Sequence, residues 1–274
     1  MTIRASYSFD RGRLRRALGS LGAFVRQGTS NLLLFVSLGA TVLVVASRRS
    51  TWRAPVWAEF MRTLNAVAVR SLSTSVATGV LVGFALVSQA VYWLAATGQT
   101  GLVGQVIVIL LIRELVPILV GLLIFGRNGT ATLIELGEAH TGGWMRQFEI
   151  QGLDPMVLLV VPRTLAFALG AFCMATVLLL STLLTGYLIA HGLGLVAYSI
   201  WDFSDMVQRA MTVRDFIVPP LKCIVIGFMV ALVCCATGLG RRDQSDELQR
   251  LVPRGFVRSA LAILVINGAF DLVG

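Results

Sequence analysis

The sequence predicts an all-α integral membrane protein, and two observations lead to that fold class. Of the 274 residues, 56% are apolar and 14% are charged, and the mean hydropathy is +0.82. A water-soluble globule of this composition would have too little polar surface to cover itself. The apolar residues also run in stretches far longer than the roughly ten alternating residues of a membrane β-strand. Because a helix satisfies its own backbone groups in lipid, these stretches are predicted to be transmembrane helices.

Five stretches have the length and composition needed to cross a hydrocarbon core about 30 Å thick, which takes about 20 residues. They are 70–95, 101–126, 164–190, 217–238 and 259–273. An earlier apolar run at 31–46 has 16 residues and lies at the lower edge of what can span. Residues 30–274 are predicted to form a single membrane domain.

Arginine placement predicts the orientation, because short cytoplasmic loops collect Lys and Arg. If 31–46 crosses the membrane, the connecting segments place 8 arginines on one side and 12 on the other. If 31–46 is re-entrant or lies along the surface, the split becomes 18 and 2. We therefore expect a re-entrant first segment, five crossings, a cytoplasmic N-terminus and a C-terminus on the outer side.

The first 29 residues are predicted to form a basic amphipathic helix at the membrane surface. Leu14, Leu18 and Leu21 fall on one helical face, while Arg15 and Arg16 lie off it, as expected for a helix resting on anionic headgroups. A disordered basic tail is the alternative. Either way the net charge of +9 reflects membrane orientation, and no nucleic-acid partner is expected.

Metal, disulfide and hydrolytic chemistry are all disfavoured by the sequence. The four cysteines lie in apolar runs without a CxxC pair, which is typical of small packing residues, so no metal site is expected. No GxSxG surrounds a serine, and His140 and His191 both fall at loop positions. An intramembrane enzyme therefore lacks a nucleophile with a general base, although a pair of acids, Glu114 and Asp271, stays open on spacing alone.

Four polar side chains in or near apolar runs are the candidate site: Gln89, Glu114, Lys222 and Asp271. A charge at the bilayer centre is costly, so such residues usually face the protein interior or a wet cavity and pair with one another. Lys222, the one lysine of the chain, is expected to pair with Glu114 or Asp271. The cluster is interpreted as a structural ion pair, a headgroup site or a proton relay, although Pro219 and Pro220 also allow Lys222 to snorkel from a helix end.

The segment 127–156 is too apolar for a floppy linker and is predicted to form short helices across the cytoplasmic face. The Asp154-Pro155 pair then turns the chain back toward the bilayer. Arg127 and Arg163 lie at the predicted cytoplasmic interface, where an arginine most often anchors a helix or touches lipid phosphates.

The central part of the chain resembles a known family. The residues that carry the resemblance are "REL" at 113–115, Pro117, "GR" at 126–127, Gly129, Ala131, Glu135, Gly137, Glu149, "DP" at 154–155 and "PR" at 162–163. They are similar to the central signature of the MlaE/YrbE permeases, the membrane subunits of bacterial lipid ABC transporters that work with MCE-domain proteins. The similarity is strongest over 89–163.

The resemblance implies a homodimeric permease in the bacterial inner membrane, with its C-terminus in the periplasm. It further implies two cytoplasmic ATPase subunits that bind ATP and Mg, an outer MlaD-like MCE-domain protein, and phospholipid or another lipid as cargo. Glu135, Gly137, Glu149 and Asp154 match the part of the family that couples to the ATPase. No GxxxxGK[ST] motif is present, so this chain is expected to carry no cofactor and no nucleotide site.

A second hypothesis is a secondary transporter driven by protons or other ions, with Glu114, Lys222 and Asp271 as the relay. It needs no second chain. Against it, the halves 70–126 and 217–273 show no internal repeat, which many such carriers contain.

Overall fold

The computed structural model describes residues 35–98, 102–142, 154–194, 199–240 and 248–273, with positions 150 and 152. No described residue is in a β-strand, which confirms the all-α prediction. The helices are α1 (Phe35–Ser47), α2 (Ala54–Leu94), α3 (Val103–Ala139), α4 (Met156–Gly192), α5 (Ile200–Ala210), α6 (Val213–Leu239) and α7 (Leu248–Val273). The amphipathic helix predicted at 1–29 lies outside the described residues.

Five helices are long and apolar enough to cross a membrane, namely α2, α3, α4, α6 and the Leu251–Leu272 part of α7. Each overlaps one of the five predicted stretches. The longest, α2, has 41 residues, about twice what a bilayer core requires. Helix α2 is therefore longer than the hydrocarbon region requires.

Helix α3 contains most of the predicted stretch 101–126 but continues past residue 126, since helical structure extends to Thr141. The predicted cytoplasmic segment 127–156 therefore begins as an extension of α3 instead of as separate short helices. Burial explains the difference: Leu133 and Leu136 are 0% and 1% exposed and pack against α7 and α6. Their apolar spacing reflects tertiary packing.

The short helix α1 packs against one end of the bundle. Its 13 residues span about 20 Å, less than a hydrocarbon core of about 30 Å. Val42 is fully buried in a cluster with Leu136 and Val160, and Trp52 Nε1 donates to the Ala46 carbonyl at 2.9 Å. The described part of α1 is therefore shorter than a hydrocarbon core, and the re-entrant first segment remains a prediction.

The bundle has two ends that differ in charge. We call the end with the 48–53 and 142–154 connections the basic end, because most of the described arginines lie there. The end with the 95–102 and 193–212 connections is called the opposite end. The arginine count predicts that the basic end faces the cytoplasm.

Helices α2 and α4 run in the same direction and pack closely along their length. A Cβ on Gly83 would lie 2.4 Å from the Thr182 carbonyl oxygen, and one on Gly186 would lie 2.3 Å from a methyl carbon of Val87. Only glycine fits at these positions, so the two helices approach at backbone distance.

At the opposite end, two capping boxes set where α5 and α6 begin. Ser199 and Asp202 exchange side-chain and backbone hydrogen bonds at the start of α5, and Thr212 and Asp215 do the same for α6. Such boxes satisfy the free N–H groups of a helix terminus. The second box also orients Asp215 toward α3.

Candidate functional site

A cavity of about 450 Å³ lies near the opposite end of the bundle, between α3, α6 and α7. Four apolar side chains form part of its wall, and three cations, three anions and one threonine form the rest. The lining residues are Ile109, Val218, Pro219, Phe270, Thr212, Arg113, Arg214, Lys222, Glu114, Asp215 and Asp271. The cavity thus contains three of the four polar residues predicted from the sequence.

The wall contributed by α3 is shaped by a π-helical segment and a proline. Residues Ile107–Leu115 have π-helical hydrogen bonding, and Pro117 follows directly in the next turn. Since proline has no N–H, Pro117 cannot donate an α-helical hydrogen bond to the carbonyl of Arg113. Lys222 Nζ donates to this carbonyl at 3.1 Å, so a buried ammonium contacts the backbone of α3 at this point.

Lys222 also forms the central ion pair of the cavity. Its Nζ lies 2.6 Å from Asp271 Oδ1, and the two side chains are 2% and 41% exposed. The pair connects α6 to α7. Lys222 therefore points into the protein and does not snorkel, and its carboxylate partner is Asp271.

Glu114 has a different partner, the amide of Asn267. Asn267 Nδ2 donates to Glu114 Oε2 at 2.6 Å and lies 3.4 Å from Asp271 Oδ2. The asparagine is 5% exposed. Sequence analysis missed it, although it lies four residues before Asp271 and hence on the same helical face.

A second ion pair, also missed from the sequence, connects α3 to α6. Arg113 donates from Nε to Asp215 Oδ1 at 2.6 Å and from Nη2 to Asp215 Oδ2 at 2.9 Å. Asp215 is buried, at 3% exposure, and its Oδ2 also accepts from the Thr212 hydroxyl at 2.6 Å. The sequence placed Asp215 in a loop, so its bidentate arginine partner could not be inferred.

Gln89 is not part of this cluster. It is exposed on α2 and is absent from the residues that line the cavity. The sequence grouped it with the charged residues because it is polar within an apolar run, but hydropathy does not report which helical face a residue occupies. Its proposed role as a headgroup ligand has no support from the geometry of this chain.

At the basic end, Arg163 joins three helices. Its Nη2 lies 2.8 Å from Glu59 Oε1 on α2 and 2.9 Å from Glu135 Oε2 on α3, and its side chain is 7% exposed. Arg163 is therefore a buried ion-pair residue, which corrects its prediction as an interfacial anchor. Its partners lie 104 and 28 positions away in the sequence, a separation that hydropathy patterns do not reveal.

The other residues predicted at this end have separate surroundings. Arg127 is exposed, and its Nη1 donates to Thr74 Oγ1 at 2.7 Å, so it contacts α2. Asp154 Oδ1 accepts from the Met156 N–H at 2.9 Å, which stabilises the first turn of α4. Gly137 is buried in the extension of α3, and Glu149 lies outside the described residues.

These contacts define the chemistry that is available at the site. Two ion pairs and an amide-bonded carboxylate surround a cavity that also has apolar walls, so the site can bind an amphiphile with charged groups. Within the described ranges, no group of three His, Cys, Asp or Glu side chains could hold a metal ion. Five helices able to cross a membrane, with a charged cavity between three of them, make this a multi-pass membrane protein whose architecture is compatible with the transport-permease class.

Comparison with known proteins gives the family. The profile described as "Permease MlaE" matches residues 60–273, and the chain belongs to that family of ABC transporter permeases. Since permeases are transport subunits, the family is not one of enzymes.

Individual relatives are distant but cover most of the chain. A probable ABC transporter permease protein of Synechocystis is 27% identical over 74% of this chain and 77% of its own length. The intermembrane phospholipid transport system permease protein MlaE of Haemophilus influenzae is 22% identical over 76% of this chain and 79% of its own. The chloroplastic protein TRIGALACTOSYLDIACYLGLYCEROL 1 of Arabidopsis thaliana is 24% identical over 78% of this chain, but that region is 62% of the plant protein.

Proposed function

We propose that this chain is the permease of an ABC transporter that moves phospholipid or another lipid between a bacterial inner membrane and an MCE-domain partner. The observation that carries the proposal is the cavity between α3, α6 and α7. It combines apolar walls, which suit acyl chains, with paired charges, which suit a headgroup. The name of the Haemophilus relative, a phospholipid transport permease, supports the same cargo class.

The proposed complex contains two copies of this chain, two cytoplasmic ATPase subunits and an MlaD-like MCE-domain protein on the outer side. ATP and Mg would be bound by the ATPases, because this chain has no P-loop motif. The orientation follows from the arginine count, with the basic end in the cytoplasm and the C-terminus in the periplasm.

Coupling to the ATPases is assigned to the basic end. Glu135 is 47% exposed and bonds both to the buried Arg163 and to the exposed Arg62. A force applied to the 142–154 connection would therefore reach α2, α3 and α4 together. Glu149 and Asp154, on the same connection, are the further coupling residues of the proposal.

The first experiment is affinity purification of the chain from its native membrane in mild detergent, followed by mass spectrometry. Recovery of an ABC ATPase with an MCE-domain protein is the expected result. In vesicles containing that complex, Glu135→Ala should lower lipid-stimulated ATP hydrolysis, while Asp205→Ala, an exposed change at the opposite end, should leave it unchanged. Recovery of a chain that transports without partners would overturn the proposal.

One observation favours the secondary transporter as a second candidate. Glu114, Lys222 and Asp271 do line one cavity, and Asn267 donates to both carboxylates, so the three charged groups of the hypothetical relay lie close together. This candidate predicts lipid-independent transport that collapses when a protonophore removes the proton gradient. The ABC permease predicts transport that depends on ATP and is insensitive to the protonophore.

A further inference from the structure

The six charges that line the cavity are not all neutralised by one another. Asp215 is paired with Arg113, and Asp271 with Lys222, each at 2.6 Å. Glu114 instead accepts from the Asn267 amide, and no ion pair to Glu114 is found among the described side chains. An amide carries no net charge, so Glu114 has no cation in direct ion-pair contact among the described side chains, although Arg214 lines the same cavity.

The orientation of Asn267 shows that Glu114 acts as an acceptor. The amide NH₂ faces Glu114 and Asp271, while its Oδ1 is buried without a partner. This orientation suits two carboxylate acceptors, since a carboxylate accepts hydrogen bonds and cannot donate them. A carboxylate at membrane depth is unfavourable unless a cation or several donors compensate it, so Glu114 is prepared to bind a positive group.

The rest of the cavity is suited to the remainder of a phospholipid. Ile109, Val218 and Phe270 provide apolar surface, and Arg113, whose side chain is 42% exposed, lies on the same wall as Glu114. A headgroup that carries only negative charge would meet the cations but be repelled by Glu114. A headgroup with both a phosphate and an amine would match both signs of charge.

We propose that the Glu114 carboxylate binds the headgroup amine of a zwitterionic phospholipid, and that the cavity therefore prefers amine-bearing phospholipids to net-anionic ones. The inference rests on the proposed lipid-transport function and names its substrate class. The recognising contact is a charge-assisted hydrogen bond from the ammonium to Glu114.

The test measures lipid retention by the purified full-length chain in detergent. Phosphatidylethanolamine, phosphatidylcholine and phosphatidylglycerol with identical acyl chains are added in equal amounts, and bound lipid is quantified by mass spectrometry. We expect about a tenfold preference for phosphatidylethanolamine over phosphatidylglycerol, the size of one charge-assisted hydrogen bond. Phosphatidylcholine, which keeps the charge but has no N–H, should bind between the two.

Three variants make the assignment specific. Glu114→Gln should bring the preference close to one, and Glu114→Asp, which keeps the charge on a shorter side chain, should weaken it without reversing it. Asp205→Asn, an exposed carboxylate outside the cavity, should leave the preference unchanged. If Glu114→Gln does not fold, the weakened lipid preference of Glu114→Asp still tests the role of Glu114.

The outcomes separate this inference from the proposed function. Lipid retention without headgroup preference, or a preference that survives Glu114→Gln, overturns the role of Glu114 while lipid binding stands. Failure of the wild-type chain to retain any of the three lipids overturns both.

Discussion

At the scale of single residues, the buried cations of the membrane domain are held by carbonyl and carboxylate groups on other helices. Lys222 donates both to Asp271 and to the Arg113 carbonyl, to which Pro117 cannot donate. Arg163 satisfies two carboxylates on two other helices. In both cases the cation is buried and at least one carboxylate partner is partly exposed. The loss in the free energy of unfolding therefore depends on which partner is removed.

The Lys222–Asp271 pair should respond asymmetrically to mutation. Asp271→Ala leaves a buried ammonium without its counter-ion and should lower the free energy of unfolding by about 3 kcal/mol. Lys222→Met leaves a carboxylate that is 41% exposed and can hydrate, so we expect a loss of about 1 kcal/mol. Unfolding from mixed detergent micelles measures both, and the double variant should be more stable than Asp271→Ala alone. Equal losses of unfolding free energy for the two single variants would contradict the conclusion that Lys222 is buried and Asp271 partly exposed.

The arginines around Glu59 provide a matched comparison at the basic end. Arg163→Met leaves Glu59, which is 14% exposed, without its main partner and should cost about 3 kcal/mol. Arg62 lies 3.5 Å from the same carboxylate and is 67% exposed, so Arg62→Met should cost less than about 1 kcal/mol. The same micelle unfolding assay tests the order, and an Arg62→Met variant as unstable as Arg163→Met would refute it.

At the scale of the helices, the helices are longer and pack more closely than crossing a bilayer requires. Helix α3 continues past the predicted boundary because Leu133 and Leu136 are buried against α6 and α7. Helices α2 and α4 touch at backbone distance because glycines occupy the contact. Small residues give close helix contact in membranes, where the hydrophobic effect does not drive helices together.

The α2–α4 contact predicts a position-dependent effect of adding one methyl group. Gly83→Ala places Cβ against the Thr182 carbonyl oxygen at 2.4 Å, where backbone would have to move, and should destabilise the fold by about 1–3 kcal/mol. Gly268→Ala on α7 meets nothing within 4 Å and should be neutral or stabilising by up to about 1 kcal/mol. Thermal unfolding of both purified variants in detergent gives the comparison. An unchanged midpoint for Gly83→Ala would show that α2 and α4 can separate freely.

At the scale of the whole molecule, the two ends of the bundle have different organisation. The basic end carries most of the described arginines, the short helix α1 and the Arg163 cluster. The opposite end carries the charged cavity and two capping boxes. The proposed coupling region and the proposed lipid site therefore lie toward different ends of the bundle.

The arginine distribution between the two ends predicts which side of the membrane each end faces. A reporter that fluoresces only in the cytoplasm should be dark when fused after residue 274, and a phosphatase that folds only in the periplasm should be active there. The reason is the 18 to 2 split of arginines with a non-crossing first segment. Fluorescence of the C-terminal fusion would show that the orientation is the opposite one, with the cavity toward the cytoplasm.

The sequence by itself determined the fold class, the five spans and the family, because these depend on hydropathy and on a local motif. It also identified Glu114, Lys222 and Asp271, because a charge in an apolar run is visible without a structure. Only the tertiary structure decided which of them pair, and it separated Gln89 from the cluster.

The residues that the sequence missed have one physical feature in common. Asp215 and Glu59 lie near the starts of helices, where a polar side chain costs little, whereas Asn267 lies within the predicted stretch 259–273 but carries no charge. Their partners are more than a hundred positions away in the chain. Hydropathy and spacing describe interactions of a residue with lipid and with its own helix, whereas pairing between helices depends on how the helices are packed and rotated, which the tertiary fold decides.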